Sequence, residues 1–434
     1  MSKIFWFFFA FVGPITFIQF GYRGLEPDFI YSMDPIHSHD DVNYQWLVLR
    51  INNILHNNHI LLLFLTIFTT IYCLLNSGKL KFPKVIIVIF LFYFLSAISS
   101  YYNNVFDIEK YGQYFFFFLP IIFVFFFFKK FHDIKLFLGV ILIYLLFNGL
   151  VGLYDTFQWI YWNGFNYGWQ EYCYFNYNCP YIGEGKIAFR VTGLAYSAIS
   201  YVMLLAIGLA VSDMKITNYS SIFKYFFIVM LILSFSRSAY VLLLVYFLIS
   251  TLFFTKLRNF FRLEKVYIFF TIFILITPFI YLILDRFLDI FNLNYNIIRI
   301  SIFNHALVEA FDNIKSIILG NGFGNFEFVY NNKIYLNTHN IFLDILHSNG
   351  ILGLLIFTYI ILYLFAKTFP SNQSNTSLDR QTILSKIFIL HFIVWTSCLV
   401  ENTILGVEVG WIIGFLFSIP LFLKYEKDKS DHNH

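Results

Sequence analysis

Charge is scarce in this sequence. Asp, Glu, Lys and Arg make up 12% of its 434 residues, against 59% hydrophobic. Soluble domains carry about 25% charged residues, so an ordinary water-facing surface cannot be built from this chain. Mean hydropathy is +0.70, and the apolar excess has nowhere to go except lipid. The formal charge of +4 is too small to suggest a nucleic-acid partner. No internal repeat is visible, and neither is an Asp-x-Asp or zinc-like spacing of metal ligands. His432 and His434 are too sparse for a metal site and belong to a tail of mixed charge. The first apolar segment follows a single lysine and lacks a small-residue cleavage site, so it is expected to stay as an anchor rather than be removed.

What the chain does have is long apolar runs. A membrane-spanning helix needs about 20 such residues, and lipid offers the backbone no partner but itself, so the runs must be helical. Spans are expected at 4–21, 59–76, 85–101, 113–128, 136–154, 196–211, 222–236, 238–254, 266–284, 350–366, 383–400 and 406–423. The expected fold is therefore an all-α integral membrane protein of about 12 transmembrane helices, with residues 1–434 forming one polytopic domain. The boundary at Ser236–Ser238 is the least secure, because two short runs nearly fuse there.

Lysine and arginine set the orientation. Lys3, the groups Lys79–Lys84 and Lys129–Lys135, Lys215 and Lys224, Lys256–Lys265, Lys367–Lys386 and Lys424–Lys429 all fall in one alternating set of loops. They account for most of the 29 basic residues. That set is expected on the cytoplasmic side together with both termini. The loops at 22–58, 155–195 and 285–349 then face outward, towards the periplasm of a Gram-negative cell, with the largest between helices 9 and 10. Cys173 and Cys179 share an outward loop in an oxidising compartment, where a disulfide and two free thiols are both open readings. Cys73 and Cys398 lie within spans and read as small buried hydrophobes.

Four outward elements carry groups capable of chemistry. Ser236-Arg237-Ser238-Ala239 lies between two apolar runs. The planar fork of Arg237 suits bidentate binding of phosphate, although an interfacial arginine reaching lipid headgroups is an equal reading. In the large loop, apolar residues at 298, 302, 306, 307 and 310 follow helical spacing, with Arg299 near the start. Gly320-Asn321-Gly322-Phe323-Gly324 follows. ATP is absent outside the cytoplasm, so these glycines read as tight turns that let backbone approach a partner closely. Thr338-His339-Asn340 then precedes Leu343, Leu346, Gly350 and Gly353. His339 is a natural proton acceptor near neutral pH, or a structural residue at a helix entrance. Asp344 and His347 lie one turn further on, placed to orient it or to pack. Finally, Arg190 in Phe189-Arg190-Val191-Thr192-Gly193-Leu194 faces an anionic headgroup of either lipid or substrate.

In this order the motifs resemble the O-antigen ligase/polymerase superfamily, whose membrane fold is GT-C-like. The likeness in topology covers the whole chain, and the specific motifs lie at 190–240 and 297–355. The resemblance implies transfer of glycan from an undecaprenyl-diphosphate-linked oligosaccharide in the periplasm, with no cofactor, no nucleotide sugar and no obligatory metal. Arg237 and Arg299 would handle the lipid diphosphate and His339 would be the essential histidine. Arg190, Asn340 and Asp344 are the substrate-binding candidates. Many members carry an acidic residue where this chain has Ser348, a departure for which Asp344 is the candidate substitute.

Preorganised arginines would stabilise the charge growing on the departing diphosphate. No paired carboxylates stand at glycosidase-like positions, so direct displacement with inversion is expected. The Arg190 motif favours a polymerase of O-antigen or capsule repeat units, in the bacterial inner membrane, with a chain-length regulator as a further partner. A ligase transferring the glycan to lipid A–core, or to protein, uses the same donor. A flippase or transporter would carry ionisable residues and broken helices near mid-membrane, whereas here the ionisable residues gather at the outer face.

Overall fold

A computed structural model describes residues 84–105, 117–122, 128, 131–163, 181–182, 186–187, 191, 195, 198–254, 293–330, 333–368, 378–399, 404 and 407–431. The expected spans at 4–21, 59–76 and 266–284 lie outside the described residues, as do Arg190, Cys173, Cys179 and Cys73.

The described chain is mostly helical. In order it forms α1 (Lys84–Tyr102), α2 (Phe131–Asn163), α3 (Ala198–Ser212), α4 (Ser220–Leu233), α5 (Arg237–Phe254), α6 (Leu293–Ala310), α7 (Ile314–Leu319), α8 (Ile341–Thr368), α9 (Leu378–Cys398) and α10 (Val407–Asp431). Four segments are long and apolar enough to cross a membrane: Lys84–Tyr102, Phe131–Tyr154, Ile341–Thr368 and Asp379–Cys398. Four shorter apolar helices accompany them within α3, α4, α5 and α10. Each coincides with an expected run.

Hydrophobicity on the outward face is what marks these helices as membrane elements. On α5, Leu244, Leu248 and Leu252 form an exposed stripe four residues apart, while Leu242, Tyr246 and Ile249 are buried. A water-facing helix would be polar on that exposed stripe. Ile87, Phe90 and Phe94 on α1, and Leu355, Tyr359 and Leu362 on α8, repeat the pattern.

The interior is aromatic. Phe92, Phe118 and Phe357 meet edge-on or tilted at 5.5–6.1 Å between ring centroids. Trp395 continues the cluster to Phe357 at 6.1 Å and to Phe417 at 6.0 Å. These rings knit α1, α8, α9 and α10 together, and offset or edge-on pairs add stability beyond the area they bury.

Ser236–Ser238 resolves into two helices. Helix α4 ends at Leu233, and Phe235 adopts φ 50 before α5 begins at Arg237. The all-α expectation holds for the described helices but not for the loops expected at 155–195 and 285–349. There Tyr181–Ile182 (β1) pairs with Lys186–Ile187 (β2), and Phe328–Tyr330 (β3) pairs antiparallel with Lys333–Tyr335 (β4). Aromatic and β-branched residues in short stretches two to three residues apart favour such hairpins over helix.

The helix ends sort into two groups. At one end Lys135 pairs with Asp379 at 2.6 Å and Arg380 lies over the Phe131 ring. Asp213, in the turn between α3 and α4, joins the same basic end through Lys224 at 2.9 Å and Lys386 at 2.5 Å. The far end of α4 carries the turn at Ser234–Arg237, so Arg237 lies at the opposite end. There, too, the Asn103 side chain at the close of α1 donates to the Gly320 carbonyl at 3.0 Å, and the Asn340 amide donates to the Leu399 carbonyl at 2.9 Å. The lysine-rich connections and the motif-bearing ones thus occupy opposite ends.

Candidate functional site

Helix α8 is not straight. Gly350 interrupts it with φ 63 and ψ −167, a conformation open in practice only to glycine. A continuous helix would separate residues 342 and 357 by about 22 Å along its axis. The Phe342 and Phe357 rings are instead 6.1 Å apart, so residues 341–349 fold back against the apolar arm beginning at 351. That arm matches the span expected at 350–366.

A break of this kind leaves carbonyls without helical partners, and the glycine-rich turn supplies them. The Asn321 amide donates to the His347 carbonyl at 2.7 Å and the Gly322 amide to the Ser348 carbonyl at 2.9 Å. The Ser99 hydroxyl donates to the same Ser348 oxygen at 2.7 Å. Gly320 caps α7, its own N–H donating to the Ser316 carbonyl, with φ 80 and ψ −176. The partner that these glycines approach is the broken helix itself.

Thr338-His339-Asn340 forms the entrance to α8. The Asn340 side-chain oxygen accepts from the Phe342 and Leu343 amides at 2.9 and 3.2 Å, which makes it the helix cap. Asp344 reaches back to accept from the Thr338 amide at 2.9 Å. The structure therefore employs the polar atoms of Asn340 and Asp344 in holding this entrance. His339 sits on top of it, half-buried, in the left-handed region at φ 54. Its amide donates to the Asn337 side chain at 3.2 Å, and its ring lies 6.4 Å from Tyr335.

Helix α6 connects Arg299 to this region. Ile302 and Ala306 pack on Phe326, with Ile298, Phe328 and Tyr335 around them. Further along α6, His305 and Glu309 approach Phe326 and His347. The helix thus runs from the Tyr335–His339 side, where Arg299 lies half-buried, to His347. Arg237 stands on α5, which packs on α9, and Leu399 at the close of α9 accepts the Asn340 amide. The three expected residues stand on elements at one end of the bundle: His339 at the entrance to α8, Arg299 on α6, which packs on α8, and Arg237 at the start of α5, which packs on α9.

Sequence reasoning missed Glu309. Its Oε1 is 3.3 Å from His305 Nε2 and its Oε2 is 3.0 Å from His347 Nε2. A carboxylate only accepts, so in the hydrogen bond with Glu309 the His347 Nε2 is the donor, while His305 Nε2 also lies 3.2 Å from the Glu327 carbonyl. His305 and Glu309 are four residues apart on a helix, a spacing visible in the sequence. The contribution of His347 comes from a distant segment and was not. A cavity of about 360 Å³ opens beside this group, lined by Glu309, Asp312, Ser316, Asn321, Asn325 and His347 among others.

Compared with known protein families and with curated proteins, the chain matches none.

Proposed function

We propose that this membrane protein transfers glycan from an undecaprenyl-diphosphate-linked oligosaccharide on the periplasmic face of a bacterial inner membrane, polymerising O-antigen or capsule repeat units. What supports the reading is that the elements carrying Arg237, Arg299 and His339 lie at the end of the bundle opposite the lysine-rich connections. By the positive-inside rule the lysine end is cytoplasmic, so the arginines meet the membrane surface where a lipid-linked donor presents its diphosphate. The arginines hold the diphosphate and stabilise the charge that grows as the sugar–phosphate bond breaks. A hydroxyl of the acceptor glycan attacks the anomeric carbon, its proton passes to His339, and polyprenyl diphosphate leaves with the bonding electron pair. The broken α8 supports an outward cavity as well, since irregular backbone at membrane depth is tolerated where protein or a water-filled site covers it.

The test is transfer from a purified lipid-linked oligosaccharide by the protein in lipid nanodiscs. Arg237→Ala is expected to abolish elongation, and Arg237→Lys to restore only part of it, because a point charge cannot grip two diphosphate oxygens as the fork does. Elongation unaffected by Arg237→Ala refutes the assignment. Glycan delivered to lipid A–core rather than to a second repeat unit identifies a ligase instead.

A further inference from the structure

The cavity beside Glu309 has the wrong chemistry for the diphosphate. Two carboxylates, Glu309 and Asp312, stand in its wall. The neighbouring Lys315 reaches away from it, its ammonium donating to the Tyr102 carbonyl at 3.2 Å. An anion is repelled here, while hydroxyl groups find acceptors.

The wall is also built rather than incidental. Glu309 is anchored through Oε2 by His347 Nε2 at 3.0 Å, and its Oε1 lies 3.3 Å from His305 Nε2, which is bonded to the Glu327 carbonyl at 3.2 Å. Asn321 is held by its amide on the Glu309 carbonyl at 3.2 Å and by the Ser316 hydroxyl at 2.7 Å. Asn325 donates to the Asn321 carbonyl at 3.1 Å. His347, which anchors Glu309, is 2% exposed, so its ring is a fixed part of the wall. The volume of about 360 Å³ falls within the range of about 300–1,000 Å³ usual for small-molecule sites.

We infer that this cavity binds an uncharged sugar unit, with Glu309 as the principal acceptor of its hydroxyl hydrogen bonds. On the glycosyl-transfer reading, on which this identification of the ligand rests, that sugar belongs to the acceptor glycan. It is held further along α6 than Arg299, at the His347 end of that helix. A carboxylate anchored by His347 is suited to positioning a hydroxyl without competing for the leaving group.

Saturation-transfer NMR on the full-length protein in detergent tests this with free galactose, N-acetylglucosamine and glucuronic acid as probes. The two neutral sugars are expected to receive saturation and glucuronate is not. Glu309→Gln should weaken neutral-sugar binding about tenfold, the loss expected for one hydrogen bond to a charged group. Asn325→Trp, at an exposed position on the cavity wall, should block it without disturbing the Glu309 cluster. Signal that survives both variants, or that appears equally for glucuronate, overturns the inference. The readout needs no lipid-linked donor. Sugar binding in a protein that transfers nothing therefore keeps the cavity's role and removes the transferase reading, whereas transfer without neutral-sugar binding does the reverse.

Discussion

Gly320 and Gly350 meet back to back. A Cβ on Gly350 would lie 2.7 Å from the Gly320 amide nitrogen and 2.4 Å from the Ile318 carbonyl oxygen. A Cβ on Gly320 would lie 2.4 Å from the backbone of Ser348 and Asn349. Two main chains touch here with no room for a side chain between them, and the contact joins the glycine-rich loop to α8. It fixes the position of His347, and hence of Glu309, relative to the entrance at His339.

Alanine at either glycine should therefore be costly. The backbone conformation alone is worth about 1–3 kcal/mol for a non-glycine residue, and the clash with backbone adds to it. Gly350→Ala and Gly320→Ala should each lower the melting temperature in detergent, and the double variant should lose less than the sum because both relieve the same contact. Gly139, which has open space around its position, is the control: Gly139→Ala should be neutral or slightly stabilising. Equal melting of all four variants would show that the contact does not hold the loop.

At the basic end, Asp213 accepts from Lys224, Lys386 and the Tyr246 hydroxyl, the last at 2.7 Å. Burial by itself raises a carboxyl's pKa, but here the two ammonium groups outweigh it and hold Asp213 well below the usual carboxylate range. A depressed folded-state pKa stabilises above the unfolded value, about 3.9, and that contribution fades as pH falls below it. Thermal melts should be insensitive to this group from pH 5 to 8 and should fall below about pH 4. Asp213→Asn should cost about 1–3 kcal/mol at pH 7 by leaving two half-buried ammonium groups without their carboxylate. Adding Lys386→Met should recover part of the loss. A variant melting like the parent at pH 7 would mean that the network contributes nothing.

The described spans and the helix at 293–310 were legible because both depend on local pattern: long apolar runs, and apolar residues at 298, 302, 306, 307 and 310. The entrance to α8 was legible as a motif but not as a mechanism. Thr338, Asn340 and Asp344 form a capping network whose members lie within six residues, yet sequence cannot say whether such groups cap a helix or face a substrate. The fold-back at Gly350 was not legible, since Gly350 and Gly353 look alike in sequence and only one is in a glycine-only conformation. Glu309 was hidden for a related reason. Its partner His347 is 38 residues away, and its role follows from the contact between Gly320 and Gly350.

The sorting of helix ends makes a topological prediction. Val329 on β3 and Tyr219 beside Asp213 are 57% and 65% exposed and stand at opposite ends of the bundle. With Cys73, Cys173, Cys179 and Cys398 replaced by serine, Val329→Cys should react with a membrane-impermeant maleimide in cells whose outer membrane has been made permeable. Tyr219→Cys should react only after the inner membrane is lysed. Reaction of both residues from the same side would refute the inside–outside assignment, and with it a periplasmic site.

The last prediction separates two roles that His339 combines. Its left-handed backbone, φ 54, turns the chain into the Asn340 cap, and its imidazole is the proposed proton acceptor. Histidine and asparagine both tolerate that conformation better than most residues. Alanine loses both features at once, so His339→Ala alone cannot distinguish them. His339→Asn keeps the turn and removes the base, and His339→Gly relaxes the backbone fully. Both variants should accumulate in the membrane at parental levels and melt within about 1 kcal/mol of the parent. If the imidazole accepts the hydroxyl proton, both should lose transfer by about 10²–10⁴-fold, and the loss should persist at saturating donor because binding of the diphosphate falls to the arginines. If asparagine instead sustains transfer, the requirement at position 339 is conformational. The proton must then pass elsewhere, and Glu309, already anchored by His347, becomes the carboxylate to test.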